Sequence, residues 1–309
     1  MGLVYHNGRF IPEEHIEKSN EQAEALRLLR SFLDANEPSL VRILVNTWQS
    51  QGQAITYKEI REAILRGDID PKWLDDWMQD YAKLVEKHLR PAWEKAIDAG
   101  FTSKAQKYPG FYFNPMADGI RSWVENHSAE FVTNVTTTQI EGLRAVIQRS
   151  AVLEDLSVDE LSRVIRPCIG LTKQQSKAVM NYYQKLRKNG VTPKRAKDMA
   201  IRDAARRHRS RAYDVARTEL ATSFNTGAHE ATKAAQAKGY LGEMEKEWCA
   251  ADDERQCKFC GALDGKKIAM DEEFEGISSS WSTRLHPPAH VGCRCAVLYV
   301  RKARPEKNM

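Results

Sequence analysis

The sequence predicts a mainly α-helical protein. A multi-helix N-terminal region and a multi-helix middle region precede a small α+β domain at the C-terminus. Three observations predict this. Strand-like alternation is scarce before residue 240, whereas helix start and stop signals are abundant. The character changes at Lys246, where short apolar runs separated by turn signals replace long helical stretches. Five of the six cysteines fall in the last quarter of the chain.

The helices are expected at about 19–35, 38–51, 57–66, 71–99, 115–132, 138–151, 157–166, 172–189 and 194–238. Thr56-x-x-Glu59, Thr138-x-x-Glu141, Ser157-x-x-Glu160 and Thr172-x-x-Gln175 read as capping boxes. In each, the hydroxyl takes a first-turn N–H and the acid or amide reaches back. Asp70-Pro71 is a further start, with Asp as cap and Pro at the first helical position. Gly67, Gly100 and Gly190 sit where helices should stop. Pro91 should kink or split the 71–99 helix, which carries Trp73, Trp77, Leu84, Val85, Leu89 and Trp93. Val179, Met180, Tyr183 and Leu186 form a core-facing stripe on 172–189. Residues 101–114, rich in aromatics around Pro109-Gly110, break the helical pattern. Lys246–Cys249, Lys267–Met270 and Ala296–Val300 read as strands, with Asp264-Gly265 as a tight turn before the second. The organisation expected is an N-terminal helical region (1–110), a middle helical region (111–204), a C-terminal domain (205–300) and a basic tail (301–309).

At 309 residues the chain can bury a sizeable core. No unbroken apolar run is long enough to span a bilayer. The first residues lack a basic stretch followed by an apolar one, so no secretory signal is expected and an intracellularly assembled protein follows. Cysteines stay reduced in that compartment, which favours metal over disulfide. The net charge of +5 is unevenly spread. From Lys185 to Arg217 twelve basic residues face only Asp198, Asp203 and Asp214. Lys194, Arg195, Arg202, Arg206, Arg207, Arg209 and Arg211 are the candidates for salt-sensitive, sequence-independent contact with nucleic-acid phosphates. A solvated helix face and an acidic protein partner are equal alternatives, because no aromatics interleave the charges.

Cys257-x-x-Cys260 and His290-x-x-Cys293-x-Cys295 gather five metal-capable side chains. Cys257, Cys260, Cys293 and Cys295 can supply four thiolates, and His290 can replace one of the last two. Such a closed shell would hold zinc structurally, with no open position for water. A metal crosslink would compensate for the thin apolar core of a small domain. The alternatives are a reduced, partly buried cysteine cluster, and disulfides formed outside the reducing cell. Cys249 and Cys168 read as small apolar fillers.

Read in order, the C-terminal motifs are Arg217-Thr218-Glu219, Asn225-x-Gly227, Lys246-Glu247-Trp248, Asp253-Glu254-Arg255-x-Cys257-x-x-Cys260, Leu263-Asp264-Gly265 and Pro287-Pro288-x-His290-Val291-Gly292-Cys293-Arg294-Cys295. This series resembles the phage Mu F-like minor head protein family, also described as the phage head morphogenesis domain, over roughly 205–300. Ile169-Gly170-Leu171-Thr172-x-x-Gln175 is similar to what precedes that domain in such proteins. The family's usual Pro after the His is Val291 here.

The resemblance implies a minor capsid protein of a tailed phage or prophage. Its partners would be the portal protein and capsid or scaffold proteins, and packaged double-stranded DNA could be contacted; no membrane partner is expected. Its place would be the head interior or portal vertex of the virion, and the host cytoplasm during assembly. The resemblance assigns no catalytic reaction, and no enzyme is expected. Arg217, Glu219, Trp248, Asp253 and Arg255 are expected to be structural. Arg217 and Glu219, two apart on a helix, must each find a partner elsewhere, for instance Arg255 or Asp253. The rival functions are a nucleic-acid-binding module and, last, a zinc hydrolase using Glu219, His290 or the acids Glu272, Glu273 and Glu275.

Overall fold

The computed structural model describes residues 3–6, 9–12, 18–105, 112, 114, 117–150, 156–251, 253, 256–277 and 284–302. The fold is mainly helical, with a small three-stranded antiparallel sheet near the C-terminus. The chain divides into two compact units. Met1–Asn36, Trp93–Arg121 and Arg217–Met309 form one, and Glu37–Ala92 with Ser122–Ala216 form the other.

A hairpin of β1 (Leu3–His6) and β2 (Arg9–Pro12), absent from the sequence reading, precedes the helices. Helix α1 runs unbroken over Asn20–Ala54, where two helices were expected. Pro38 lies inside it. Buried Leu26, Leu29, Leu33, Leu40, Leu44 and Trp48 keep helical spacing on both sides of the proline. Continuous burial of that stripe outweighs one missing backbone bond. Helix α2 (Tyr57–Arg66) has the complete Thr56–Glu59 capping box and ends at Gly67, φ +80°. Asp70 caps α3 (Pro71–Leu84) by accepting from the Lys72 amide. The expected break at Pro91 takes the form of a π-helical turn, Val85–Leu89, immediately before α4 (Arg90–Ala105). The widened turn accommodates the proline ring and its missing N–H. Gly100 does not stop a helix; it lies within α4.

Helix α5 is continuous over Asp118–Ser150, again where two were expected. Thr138 caps nothing: its hydroxyl donates back to the Asn134 carbonyl at 2.7 Å. The aromatic break at 101–114 falls largely outside the described residues; α4 runs to Ala105, and Tyr112 is exposed. Ser157 caps α6 (Val158–Ile165), but its box is half made, because the Glu160 carboxylate binds Tyr183 and Arg187 instead. Helix α7 (Lys173–Lys188) carries the complete Thr172–Gln175 box, and Val179, Met180 and Tyr183 are buried as the stripe predicts. Helix α8 spans Pro193–Ala237.

In the unit formed by 37–92 and 122–216, Trp48 Nε1 donates to Tyr81 Oη at 2.9 Å within a buried network that includes Gln51 and Gln139. Gly170, φ +90°, packs so tightly that a Cβ there would lie 2.5 Å from the Trp48 side chain. In the other unit, α4 and α8 cross at two glycines. A Cβ on Gly100 would lie 1.9 Å from the Phe224 carbonyl oxygen, and one on Gly227 2.0 Å from that of Ile97. The sheet, in the order β4 (Lys267–Ala269), β3 (Met244–Cys249), β5 (Ala296–Arg301), pairs Trp248 with Val297. Its three strands are those read from the sequence. Ala228 on α8 packs with Met244, Val297 and Tyr299. No helix among the described residues is long and apolar enough to cross a membrane.

Candidate metal centre

Two chain segments converge on the cysteines. Cys257 is the N-cap of a short helix, α9 (Lys258–Leu263), missed on sequence; its sulfur accepts the Cys260 amide at 3.3 Å. The two-residue gap thus closes one helical turn and turns both thiols to one side. The second segment, His290–Cys295, leads into β5. The Cys293 amide donates to the His290 carbonyl at 3.2 Å, and Gly292 takes φ +74°. That left-handed residue is where glycine carries no Cβ penalty.

The donor atoms form two overlapping groups, Cys257–Cys260–His290 and Cys260–Cys293–Cys295, each within 4.8 Å. His290 Nε2 lies 3.2 Å from both Cys257 Sγ and Cys260 Sγ, and Cys260 Sγ lies 3.8 Å from Cys293 Sγ. All five residues line a cavity of about 20 Å³, together with Ala251, Gln256, Gly292 and Arg294. Metal–sulfur bonds of about 2.3 Å and metal–nitrogen bonds of about 2.0 Å make tetrahedral edges of about 3.8 Å (S–S) and 3.5 Å (S–N). Within each group the donor chemistry and the spacing fit the edges of a tetrahedral metal site, and the cavity has room for a single ion.

The electrostatics agree. Hydrogen bonds from Cys260 and Cys295 push the Cys293 thiol well below its ordinary pKa, and those two thiols are pushed up in turn. The bond to Cys293 raises His290 to about 9. Burial opposes ionisation of Cys257, but its bonds to Cys260 and His290 outweigh that and lower its pKa. A bound cation would let more of these donors ionise. By contrast, burial holds Cys168 and Cys249 protonated, both pushed up to about 12, as apolar fillers should be.

The remaining motif residues build the frame around these donors. Trp248 is fully buried, edge-on to Phe274 at 5.0 Å, in a core with Cys260, Leu263, Cys293 and Cys295. In Leu263-Asp264-Gly265, the Asp264 carboxylate accepts the Ala250 amide at 2.8 Å and pairs with Lys18 at 2.6 Å, while Gly265, φ +75°, turns the chain. Asp253 makes a two-pronged bond to Arg294, at 2.5 and 2.7 Å. Arg255, expected in such an ion pair, lies outside the described residues. Arg217 and Glu219 are half-buried on α8. The sequence reading placed Thr218 in the motif between them but gave it no role: the Thr218 hydroxyl accepts the Gly292 amide at 2.9 Å, fastening α8 to the His290–Cys293 turn. It likewise gave no role to Asn225, which accepts the Val297 amide at 3.2 Å and donates to the Cys295 carbonyl at 3.4 Å. A buried polar side chain at helical spacing, facing an apolar strand, was the available signal.

His286 lies apart from the cysteines, buried beside Thr226 and His229. The acids considered for catalysis are otherwise engaged. Glu272 accepts the Ala269 amide, Glu273 pairs with Arg284, and Glu275 with Lys266.

The basic residues of α8 separate into two sets. Lys194, Arg195, Arg202, Arg206 and Arg209 are exposed. Arg207 is half-buried and paired with Asp203 at 2.6 Å. Arg211, counted on sequence with the nucleic-acid candidates, is buried; it donates to the Gly170 carbonyl and lies over the Trp48 ring, 5.0 Å from its centroid. Holding that tight glycine turn, Arg211 is not on the exposed face.

Residues 172–298 match the family model described as Phage Mu protein F like protein, and so form a Mu F-like domain. No curated protein and no solved structure matches the chain.

Proposed function

We propose that the chain is a minor capsid protein that acts in head morphogenesis of a tailed phage or prophage, and that it associates with the portal and the procapsid interior. The Mu F-like match over 172–298 carries the reading. The way its motif residues serve one another supports it: Thr218, Asn225, Asp253 and Asp264 spend their polar groups on holding a small domain together. That suits a structural component, and the reading assigns no catalytic residue. Within it, four of Cys257, Cys260, His290, Cys293 and Cys295 supply the ligands of a structural zinc, which would replace apolar burial as the crosslink of the domain. The test is co-expression with the portal, scaffold and major capsid proteins of the same phage or prophage. The chain should co-purify with the portal and appear in assembled procapsids. Particles that form without it, together with no portal binding, would overturn the proposal. Zinc is tested by native mass spectrometry of the reduced full chain, where one ion per chain is expected and a metal-free mass overturns it.

One observation favours an added contact with packaged DNA. Arg195, Arg202, Arg206, Arg209 and Tyr213 are all exposed, and at 3.6 residues per turn they fall within an arc of about 60° on α8. The arginines extend about 21 Å along the axis. The neighbouring acids Asp198 and Asp203 are paired with Lys197 and with Arg206 and Arg207. Replacing Arg202, Arg206 and Arg209 together by alanine should weaken duplex binding and flatten its salt dependence. Binding unaffected by the triple change would remove this reading and leave the capsid role untouched.

A further inference from the structure

The zinc reading leaves five donors for four positions. Resting on that reading, we infer that the ion is held by Cys257, Cys260, His290 and Cys293, and that Cys295 is a core thiol rather than a ligand.

Three features of the site lead to this set. First, it consists of two turns, each with its donors three residues apart and each closed by a hydrogen bond, one to a sulfur and one to a carbonyl. Cys260 N–H reaches Cys257 Sγ in one, and Cys293 N–H reaches the His290 carbonyl in the other. Second, the short separations run through these four. Nε2 of His290 is 3.2 Å from both thiols of the first turn, and Cys260 stands 3.8 Å from Cys293. Third, His290 is oriented for the task. Nδ1 lies 3.0 Å from the Val291 carbonyl, which fixes the proton there and leaves the Nε2 lone pair facing the sulfurs.

Cys295 shares the apolar cluster of Trp248, Ala250, Leu263 and Phe274 with Cys260 and Cys293, but it stands outside both turns, and its carbonyl is held by Asn225 as β5 begins. The sequence order Cys-Arg-Cys therefore divides its work: Cys293 binds metal, Arg294 grips Asp253, and Cys295 fills the core.

X-ray absorption at the zinc edge of the full-length, reduced protein reads the donor set directly. Three sulfurs and one nitrogen are expected. The cobalt-substituted protein should show the visible bands of a three-thiolate, one-imidazole tetrahedral site. Cys295→Ala should keep one zinc per chain and an unchanged cobalt spectrum, while Cys257→Ala and His290→Ala should each raise the rate of zinc transfer to a chelator at least tenfold. Four sulfurs in the wild type would overturn the ligand assignment and leave the zinc reading standing. A folded Cys295→Ala protein that has lost its zinc would do the same. A wild type without zinc would defeat the reading beneath both. The wild-type absorption spectrum decides the matter even if Cys295→Ala does not fold.

Discussion

Thr218 joins the helix motif to the cysteine motif by one hydrogen bond, and its removal has a calculable consequence. Valine has the shape of threonine but no oxygen, so Thr218→Val leaves the Gly292 amide without the acceptor it has at 2.9 Å. A partly buried N–H deprived of its partner costs about 1–2 kcal/mol. That is a factor of roughly 5–30 in the equilibrium for local opening. Amide hydrogen exchange reads this equilibrium at the residue concerned. Gly292 should exchange about 5–30 times faster in Thr218→Val, while amides in the centre of α5 remain unchanged. Thr218→Ser keeps the oxygen and should keep the protection. Equal exchange at Gly292 in wild type and Thr218→Val would refute the idea that this bond fastens the turn. Serine behaving like valine would show that the methyl group, and thus packing, is what matters.

Three further outcomes are expected. Gly227→Ala puts a Cβ 2.0 Å from the Ile97 carbonyl, so α4 and α8 must separate; a loss of about 3 kcal/mol is expected, whereas Gly242→Ala, with open space around it, should leave the melting temperature unchanged. Asp264→Ala loses both the Ala250 amide and Lys18, and Asp264→Asn loses only the charge; the alanine variant should be the less stable in urea titration, by about 1 kcal/mol. Burial holds His286 near pKa 4 and His229 near 2, below the ordinary 6.5. The unfolded chain therefore binds protons that the folded one refuses. Stability is complete above pH 6.5 and falls as pH drops towards 4, by about 3 kcal/mol for His286 alone. Denaturation midpoints that stay level between pH 7 and 5 would contradict this.

The parts of the fold legible in the sequence were those decided by local chemistry. The boxes at Thr56 and Thr172, the Asp70 cap and the Asp264-Gly265 turn each satisfy backbone groups within four residues, so the signal and the structure are the same event. Where the expectation failed, distant packing decided. Thr138 has the sequence of a cap, but its neighbours Ile140, Leu143 and Ile147 continue a buried stripe, and the hydroxyl turns back to Asn134. Pro38 has the sequence of a break, but the leucines on either side are buried in one phase. Gly100 looks like a stop only if its neighbour across the contact is unknown; the Phe224 carbonyl above it is 124 positions away in the chain.

The same distinction explains what was seen and missed at the candidate metal centre. The cysteines and His290 were found because ligand spacing is a local property: two donors must leave one turn together. Thr218, Asn225 and Arg294 stood in the motif series without a role, because each acts on a residue at least 41 positions away. Their roles also change what the motif series means. Arg-Thr-Glu, Asn-x-Gly, Asp-Glu-Arg and Cys-Arg-Cys look like separate sites when read along the chain. In the fold, Thr218 holds Gly292, Asn225 holds the Cys295 carbonyl and the Val297 amide, and Asp253 holds Arg294, so three distant motifs converge on the fourth, at the turn 290–295 and the start of β5. Such convergence explains why a small domain with so few large apolar side chains would need these residues in this order. Each clamp fixes the turn that presents the donors, and an ion on the donors would in turn fix α9 to β5. Losing any one clamp should therefore loosen the same turn, so the effects of Thr218→Val and Asp253→Asn on zinc release should be non-additive. Strictly additive effects would mean that the motifs are independent after all.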